Sequence, residues 1–313
     1  PDFTLNATFN IGRNKNKIDK LASGEKEMVL SSGWAGSQLL NSDDYRAYVG
    51  GTTGLIYGFV NDGFYTVDDF KPFDSKSRTW TLKDGVVNSS PLSGDPRPGN
   101  AKFKKLTPVD ENSANPYTLT DDDRTVIGNT TPKFSGGFGL NATFKGFDVS
   151  AFFNFMYDFD VFNANKVMMT TWASNNYNNF SMDISAAKRW RNFDDMGNEI
   201  RYSPEILAEF NKNATMWNPT SIGRPIAMSY AVEDGSFLRL NTATIGYTLP
   251  RAWTNKVGLS RVRFYASGYN LFTITGYSGY DPEVDIATGL TPNIDNNRYP
   301  RSRTYTFGVQ LTF

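Results

Sequence analysis

At 313 residues the chain is long enough for one large domain or two ordinary ones. Its 32 Lys and Arg balance 32 Asp and Glu, so no net field gathers nucleic acid, an anionic surface or acidic substrates. It contains no Cys and no His, which removes disulfides, thiolate nucleophiles, the usual zinc sites and the Ser-His or Cys-His pairs of nucleophilic catalysis.

What remains is rich in aromatic residues (15%) and Gly (27), with only 39% hydrophobic residues, a mixture that suits twisted strands with one wet face. No apolar run approaches the roughly 20 residues of a membrane helix. The chain opens at Pro1 without Met, basic n-region or apolar signal core, and reads as a fragment of a longer chain. Neither a cofactor, nor a metal, nor an enzymatic role is expected.

Taken in chain order, the elements are strands of period two. From Phe3 to Ile11 every odd residue is apolar and every even one is Thr or Asn. The segment Gly50 to Thr66, less regular, is read as another strand. A second clear run puts Phe134, Phe138, Leu140, Ala142 and Phe144 on one face, and a third puts Phe147, Val149, Ala151, Phe153, Phe155, Tyr157 and Phe159 on one face. Lys145-Gly146 joins these two as a tight antiparallel hairpin, Gly supplying a positive φ. Ala243, Ile245, Tyr247 and Leu249 alternate with Thr and Gly until Pro250 stops the strand. Val262, Phe264 and Ala266 face away from Arg261, Arg263 and Tyr265. The last run alternates Tyr305, Phe307, Val309, Leu311 and Phe313 with Thr, Gly and Gln.

The connections come in two sizes. Lys145-Gly146 and 250–260 are short; 68–132, 160–235 and 273–303 are long and rich in Asn, Asp, Gly and Pro. Within the second, Met182 to Arg191 and Pro204 to Asn211 are candidate short helices. Short turns on one rim and long loops on the other characterise transmembrane barrels. The competing fold is a soluble β-sandwich, in which the apolar face packs on a second sheet. Strands of about ten residues, the loop asymmetry and aromatics at strand ends (Phe159, Tyr247, Phe272, Phe313) favour an all-β transmembrane antiparallel barrel with long extracellular loops. The lumen side would be Thr, Asn, Ser and Gly.

The run Asp234-Gly235-Ser236-Phe237-Leu238-Arg239-Leu240, continuing through Thr244-Ile245-Gly246-Tyr247-Thr248-Leu249-Pro250, resembles the SusC/RagA family of TonB-dependent outer-membrane proteins. So do Tyr265 to Phe272, Tyr277 to Val284, Tyr299 to Gly308 and, upstream, Asn14 to Ile18, Tyr57-Gly58-Phe59, Asp62-Gly63-Phe64 and Asp123 to Phe134. Each motif is weak alone; their collinear order makes the resemblance specific over nearly the whole chain.

It implies that residues 1–313 are the C-terminal part of a plugged barrel of about 22 strands, supplying the last eight or so. The plug domain and first strands would lie outside the chain, as would the segment that contacts TonB. It further implies location in the bacterial outer membrane and import of large nutrients, glycans or peptides, with a SusD-like surface lipoprotein as partner. A structural subunit of a larger envelope complex is the alternative, and a soluble carbohydrate-binding β-sandwich a weaker one. In the same family an acidic stretch before Asp123-Arg124 can bind calcium. Here Asp121, Asp122 and Asp123 remain without the Gly-containing spacing.

Trp172, Asn175, Asn176 and Tyr177 are the most suggestive ligand-binding cluster, with Trp190 and Trp217 as outliers. Aromatic faces stack on sugars and Asn bonds hydroxyls, although packing of loop on loop or on a lid is the commoner use of such residues. Tyr305, Phe307, Val309, Leu311 and Phe313 resemble the terminal signal read by the outer-membrane assembly machinery, and the lipid bilayer is the partner of the apolar faces.

Overall fold

The computed structural model describes residues 3–41, 43–171, 180–284 and 289–313. Its principal element is an antiparallel sheet of six strands: β1 (Phe3–Gly12), β2 (Phe134–Phe144), β3 (Phe147–Tyr157), β4 (Phe237–Thr248), β5 (Arg261–Thr275) and β6 (Thr304–Thr312). Each strand lies beside the next in sequence. The resemblance implied eight or so; six are present among the described residues. The sheet is open between β1 and β6, each of which has one paired edge.

Lys145 (φ 47°) and Gly146 (φ 89°) both adopt left-handed conformations, the two-residue turn whose twist matches its strands. The Gly146 carbonyl also accepts the Thr248 N–H at 2.8 Å, locking β4 to the hairpin. At the same rim, Ser260 N–H donates to Thr312 O at 2.8 Å. The turn at 145–146, the short link 249–260 and the end of β6 therefore share one rim, and the long connections leave from the other.

Between Leu240 and Thr242 the register shifts against both neighbours. β4 carries one extra residue relative to β3, and β5 one more relative to β4, with Asn270 left-handed (φ 52°). Such bulges bend a strand while keeping its faces in phase. Leu238 and Leu240 thus stay on the face of Ala243 and Ile245 despite the change in sequence parity.

The long connections are not structureless. They build a second layer with its own core, in which Trp34, Tyr45, Ile56, Phe59, Phe103, Phe162 and Trp217 are buried together. Short strands organise it: a four-stranded sheet (Glu27–Leu30, Tyr45–Tyr48, Leu55–Gly58, Thr125–Asn129), a three-stranded one (Val232–Asp234, Asp160–Asn163, Ile294–Asp295) and a pair (Asn61–Phe64, Ala101–Phe103). The expected strand from Gly50 to Thr66 is two of these short strands. Pro204–Phe210 is helical as expected, whereas in Met182 to Arg191 only Met182–Ile184 forms a single 3-10 turn. Phe159, expected at a strand end facing lipid, is instead buried with Val161, Phe237, Tyr277 and Val284, because Asp158 (φ 60°) turns the chain just after β3.

Candidate membrane and ligand surfaces

Strand registry turns the sequence alternation into two continuous faces. One row across the sheet reads Phe3, Phe144, Phe147, Tyr247, Phe264, Val309; the next reads Leu5, Ala142, Val149, Ile245, Ala266, Phe307. Toward the loop side, Phe9, Phe138, Phe153, Leu240 and Phe272 form another aromatic-rich row. No second sheet covers this face among the described residues. Even on the inner strands β3 to β5, Phe147 is 50%, Ile245 53% and Phe264 48% exposed, which rules against the sandwich, since a packed sheet buries such residues.

From Phe147 to Tyr157 the face runs eleven residues, ten steps of about 3.3 Å or about 33 Å along the strand. At the strand tilt of about 40° usual in barrels, that matches an apolar band about 25 Å tall. The aromatic row near the short-turn rim sits where an interfacial girdle would.

The opposite face is mostly polar, with Phe152, Met156, Tyr265 and Tyr269 set into it. Asn6, Asn141, Ser150, Thr244, Ser267 and Thr306 form one row, the Thr244 and Ser267 hydroxyls 2.8 Å apart. Near the short-turn rim Arg263 Nε donates to Asp148 Oδ1 at 2.9 Å, reaching across β4 at Gly246. A Cβ there would lie 2.5 Å from Arg263 Nη2 and 2.6 Å from Asp148 Oδ1, so only Gly leaves the pair its path. Nothing in the sequence joins two residues that far apart.

Where β4 meets the loop layer, Arg239 is 2% exposed. It donates to Asp281 Oδ1 at 2.5 Å and lies 3.6 Å from Glu283, while Arg301 holds Glu283 at 2.9 Å and Asp281 at 3.8 Å. Burial alone would raise the Asp281 carboxyl; the Arg239 hydrogen bonds, the Glu283 N–H and the two guanidinium charges hold it below the usual range. Two arginines and two carboxylates thus tie the 276–303 connection to the wall.

A second knot joins two of the long connections. Glu233 accepts from the Ser278 N–H (2.9 Å) and hydroxyl (2.8 Å) and pairs with Lys166 at 3.2 Å. Against the upward push of burial, these partners hold its carboxyl below the usual range. Tyr277 donates to Asp295 at 2.7 Å, and its phenol is pushed up by burial and by that carboxylate.

Trp172, Asn175, Asn176 and Tyr177 lie outside the described residues. Trp190 and Trp217, the outliers of that cluster, are 3% and 2% exposed and serve loop cores, so neither stacks on a ligand as it stands. Asp123, the last of the acidic run, is fully buried and accepts the N–H groups of Leu106, Thr107 and Thr120 and a charge-assisted bond from Lys105. Burial opposes its ionisation, yet these donors bring its pKa down to about 2. Its oxygens are committed to the fold.

A polar cleft of about 550 Å³ escaped the sequence reading. Arg78, Trp80, Arg97, Asn100, Arg201 and Tyr202 line it, with Arg78 stacked 5.1 Å over Tyr202. Its residues come from segments a hundred positions apart, and no local pattern announces it. Tyr305, Phe307, Val309 and Leu311 all stand on the apolar face of the open-edged β6, and Phe313 follows at 90% exposure.

Comparison with known proteins bears on these surfaces. TonB-dependent receptor P3 of Formosa agariphila is 30% identical over 318 residues, covering the whole chain and 27% of that protein. SusC of Bacteroides thetaiotaomicron, a TonB-dependent receptor, is 32% identical over 164 residues, 48% of this chain and 15% of that protein. By sequence, the chain is a relative of the TonB-dependent receptors, SusC included.

No protein-family model matches it. Among solved structures, the RagAB peptide importer in its open-open state superposes with a TM-score of 0.63 at 22% identity, over the whole chain and 27% of that chain. This likeness carries the fold. Relatives of the SusC/RagA kind are named as receptors and transporters, not enzymes, and the non-enzymatic reading rests on them. The chain spans about a quarter of the length of P3 and of the RagAB chain.

Proposed function

We propose that residues 1–313 form the C-terminal part of the barrel wall of a SusC-like, TonB-dependent importer in a bacterial outer membrane. The observation that carries this is the continuous, largely exposed apolar face across all six strands, backed by a face that is polar but for a few aromatics such as Phe152 and Tyr269. A wall of this kind is stable only with hydrocarbon outside and water or a polar plug inside.

The open edges of β1 and β6 pair with strands from the rest of the protein, closing a barrel of about 22 strands around a plug that carries the TonB contact. The loop layer faces outward. It offers the stacking surfaces and hydrogen-bonding groups that a glycan or peptide needs, in the cleft beside Trp80 and Tyr202 and at Trp172, Asn175, Asn176 and Tyr177. A SusD-like lipoprotein covers it. Tyr305 to Phe313 is the segment read by the assembly machinery during insertion.

Growth of a strain lacking the full-length gene, on polysaccharides or peptides as sole carbon source, tests this. Loss of growth on one polymer but not on its monomers is expected, with the tagged protein in the outer membrane alongside a surface lipoprotein. Unchanged growth on every polymer, with the protein in a soluble fraction, would overturn it.

A further inference from the structure

At the loop-side end of β1 the outward series Phe3, Leu5, Ala7, Phe9, Ile11 continues into Arg13. The wall thus passes from apolar to cationic within two residues. Arg13 lies 5.9 Å over the ring of Phe134, the outward residue at the same end of β2. Beside it is a recess of about 630 Å³ whose lining includes Arg13, Lys15, Lys17 and Lys133 together with Asp158 and Asp160.

Lys133 is held by Asp158 at 3.1 Å, and Asp160 accepts the Asn129 N–H at 2.7 Å. Arg13, Lys15 and Lys17 are exposed and make no ion pair among the described residues. Three unpaired cations therefore line the lip of a hydrocarbon-facing wall, with Tyr157, 56% exposed, on the same lip at the end of β3.

We propose that this lip seats the phosphate-bearing head group of an outer-leaflet glycolipid, its acyl chains lying over Phe9, Ile11 and Phe134. The inference rests on the lipid-facing reading of the wall. Phosphate oxygens accept from guanidinium and ammonium donors at low geometric cost, and each basic residue at a lipid surface adds to the attraction for an anionic head group. A lipid, rather than a dissolved anion, is favoured because Arg13, over the outward Phe134 ring, continues the apolar face and Lys15 and Lys17 line the recess beside it, so head group and chains are met together.

The test uses the full-length protein in phosphatidylcholine nanodiscs, with Tyr157→Trp as local reporter and Val149→Trp as a wall control. Acyl-brominated lipid A is added either with both phosphates or dephosphorylated. The phosphorylated form should quench the Tyr157→Trp reporter at apparent concentrations at least about tenfold lower than its neutral twin. That preference should vanish in Arg13→Gln/Lys15→Gln/Lys17→Gln, shrink in high salt, and survive an excess of inorganic phosphate. Equal quenching by the two lipids, or loss of the preference to inorganic phosphate, overturns the lipid site. Absence of quenching in the Val149→Trp control would sink the lipid-facing wall itself, whereas a quenched control with equal quenching at the lip removes only this inference. The lipid swap needs only the single reporter substitution, so it stands even if the triple variant assembles poorly.

Discussion

Replacing Asp281 by Ala should loosen the junction between wall and loops more than any exposed substitution. Arg239 is 2% exposed, and without Asp281 its nearest carboxylate is Glu283 at 3.6 Å, which Arg301 already engages at 2.9 Å. Breaking a buried pair by removing one partner costs about 3–5 kcal/mol, because a charge stays behind without compensation. Removing both partners, in Arg239→Met/Asp281→Leu, keeps the Glu283–Arg301 pair and should recover most of that loss, a coupling that a double-mutant cycle reads directly.

Acid should act in the same direction. The folded Asp281 carboxyl lies below its ordinary value, so its stabilisation is present above about pH 4, the unfolded value, and is lost as pH falls through the depressed folded value. The double variant should lack that loss. Urea unfolding of the full-length protein in phospholipid vesicles, with trypsin cleavage in the 298–303 segment as local readout, measures both. A single variant within about 0.5 kcal/mol of wild type, or a double no better than the single, would refute the reasoning.

Three further outcomes are expected. Ala151→Lys, on the apolar face between Leu140 and Ala243, should cost about 2–4 kcal/mol near the bilayer midplane, while Ser150→Lys on the polar face costs far less, both read by denaturant unfolding in lipid. Gly246→Ala should drive Arg263 and Asp148 apart, since a Cβ meets both within 2.7 Å; a loss of about 1–3 kcal/mol in the same assay fits the overlap, and a neutral result contradicts it. Deleting Phe313 should reduce the amount assembled in outer membranes, by heat-modifiable gel mobility, far more than it lowers the stability of assembled molecules; full assembly without it would remove the terminal-signal reading.

The wall was legible because its determinants are local. Alternation, strict in β1 and β6 and clear in β2 and in β3 up to Phe152, and the Lys145-Gly146 turn set faces, lengths and one hairpin register without reference to anything distant. The bulges were also there to be read, in the parity change from Leu238 and Leu240 to Ala243 and Ile245, though only tertiary pairing shows that β5 steps once more. The loop layer was not legible. Its strands are two to five residues long, and its contacts join positions such as Phe59 with Met228 or Tyr45 with Pro292, so neither periodicity nor spacing survives in the chain. The same cause misled the reading of Phe159, a large aromatic beside a polar loop whose burial partners come from elsewhere in the sequence, whereas Trp190 and Trp217 take the loop-packing role that is commoner for such residues. The Asp148–Arg263 and Arg239–Asp281 pairs were hidden likewise.

These 313 residues hold no Cys, so once any Cys elsewhere in the full-length protein is replaced by Ser, single Cys substitutions carry spin labels without background. Labels at Val149, Ile245 and Phe307 on one face, and at Ser150, Thr244 and Thr306 on the other, in the full-length protein in lipid vesicles, measure directly which side meets hydrocarbon. The first three should relax with oxygen and resist a water-soluble nickel chelate, and the second three should do the reverse. Equal accessibility of neighbouring positions, or the opposite phase, would contradict the membrane wall.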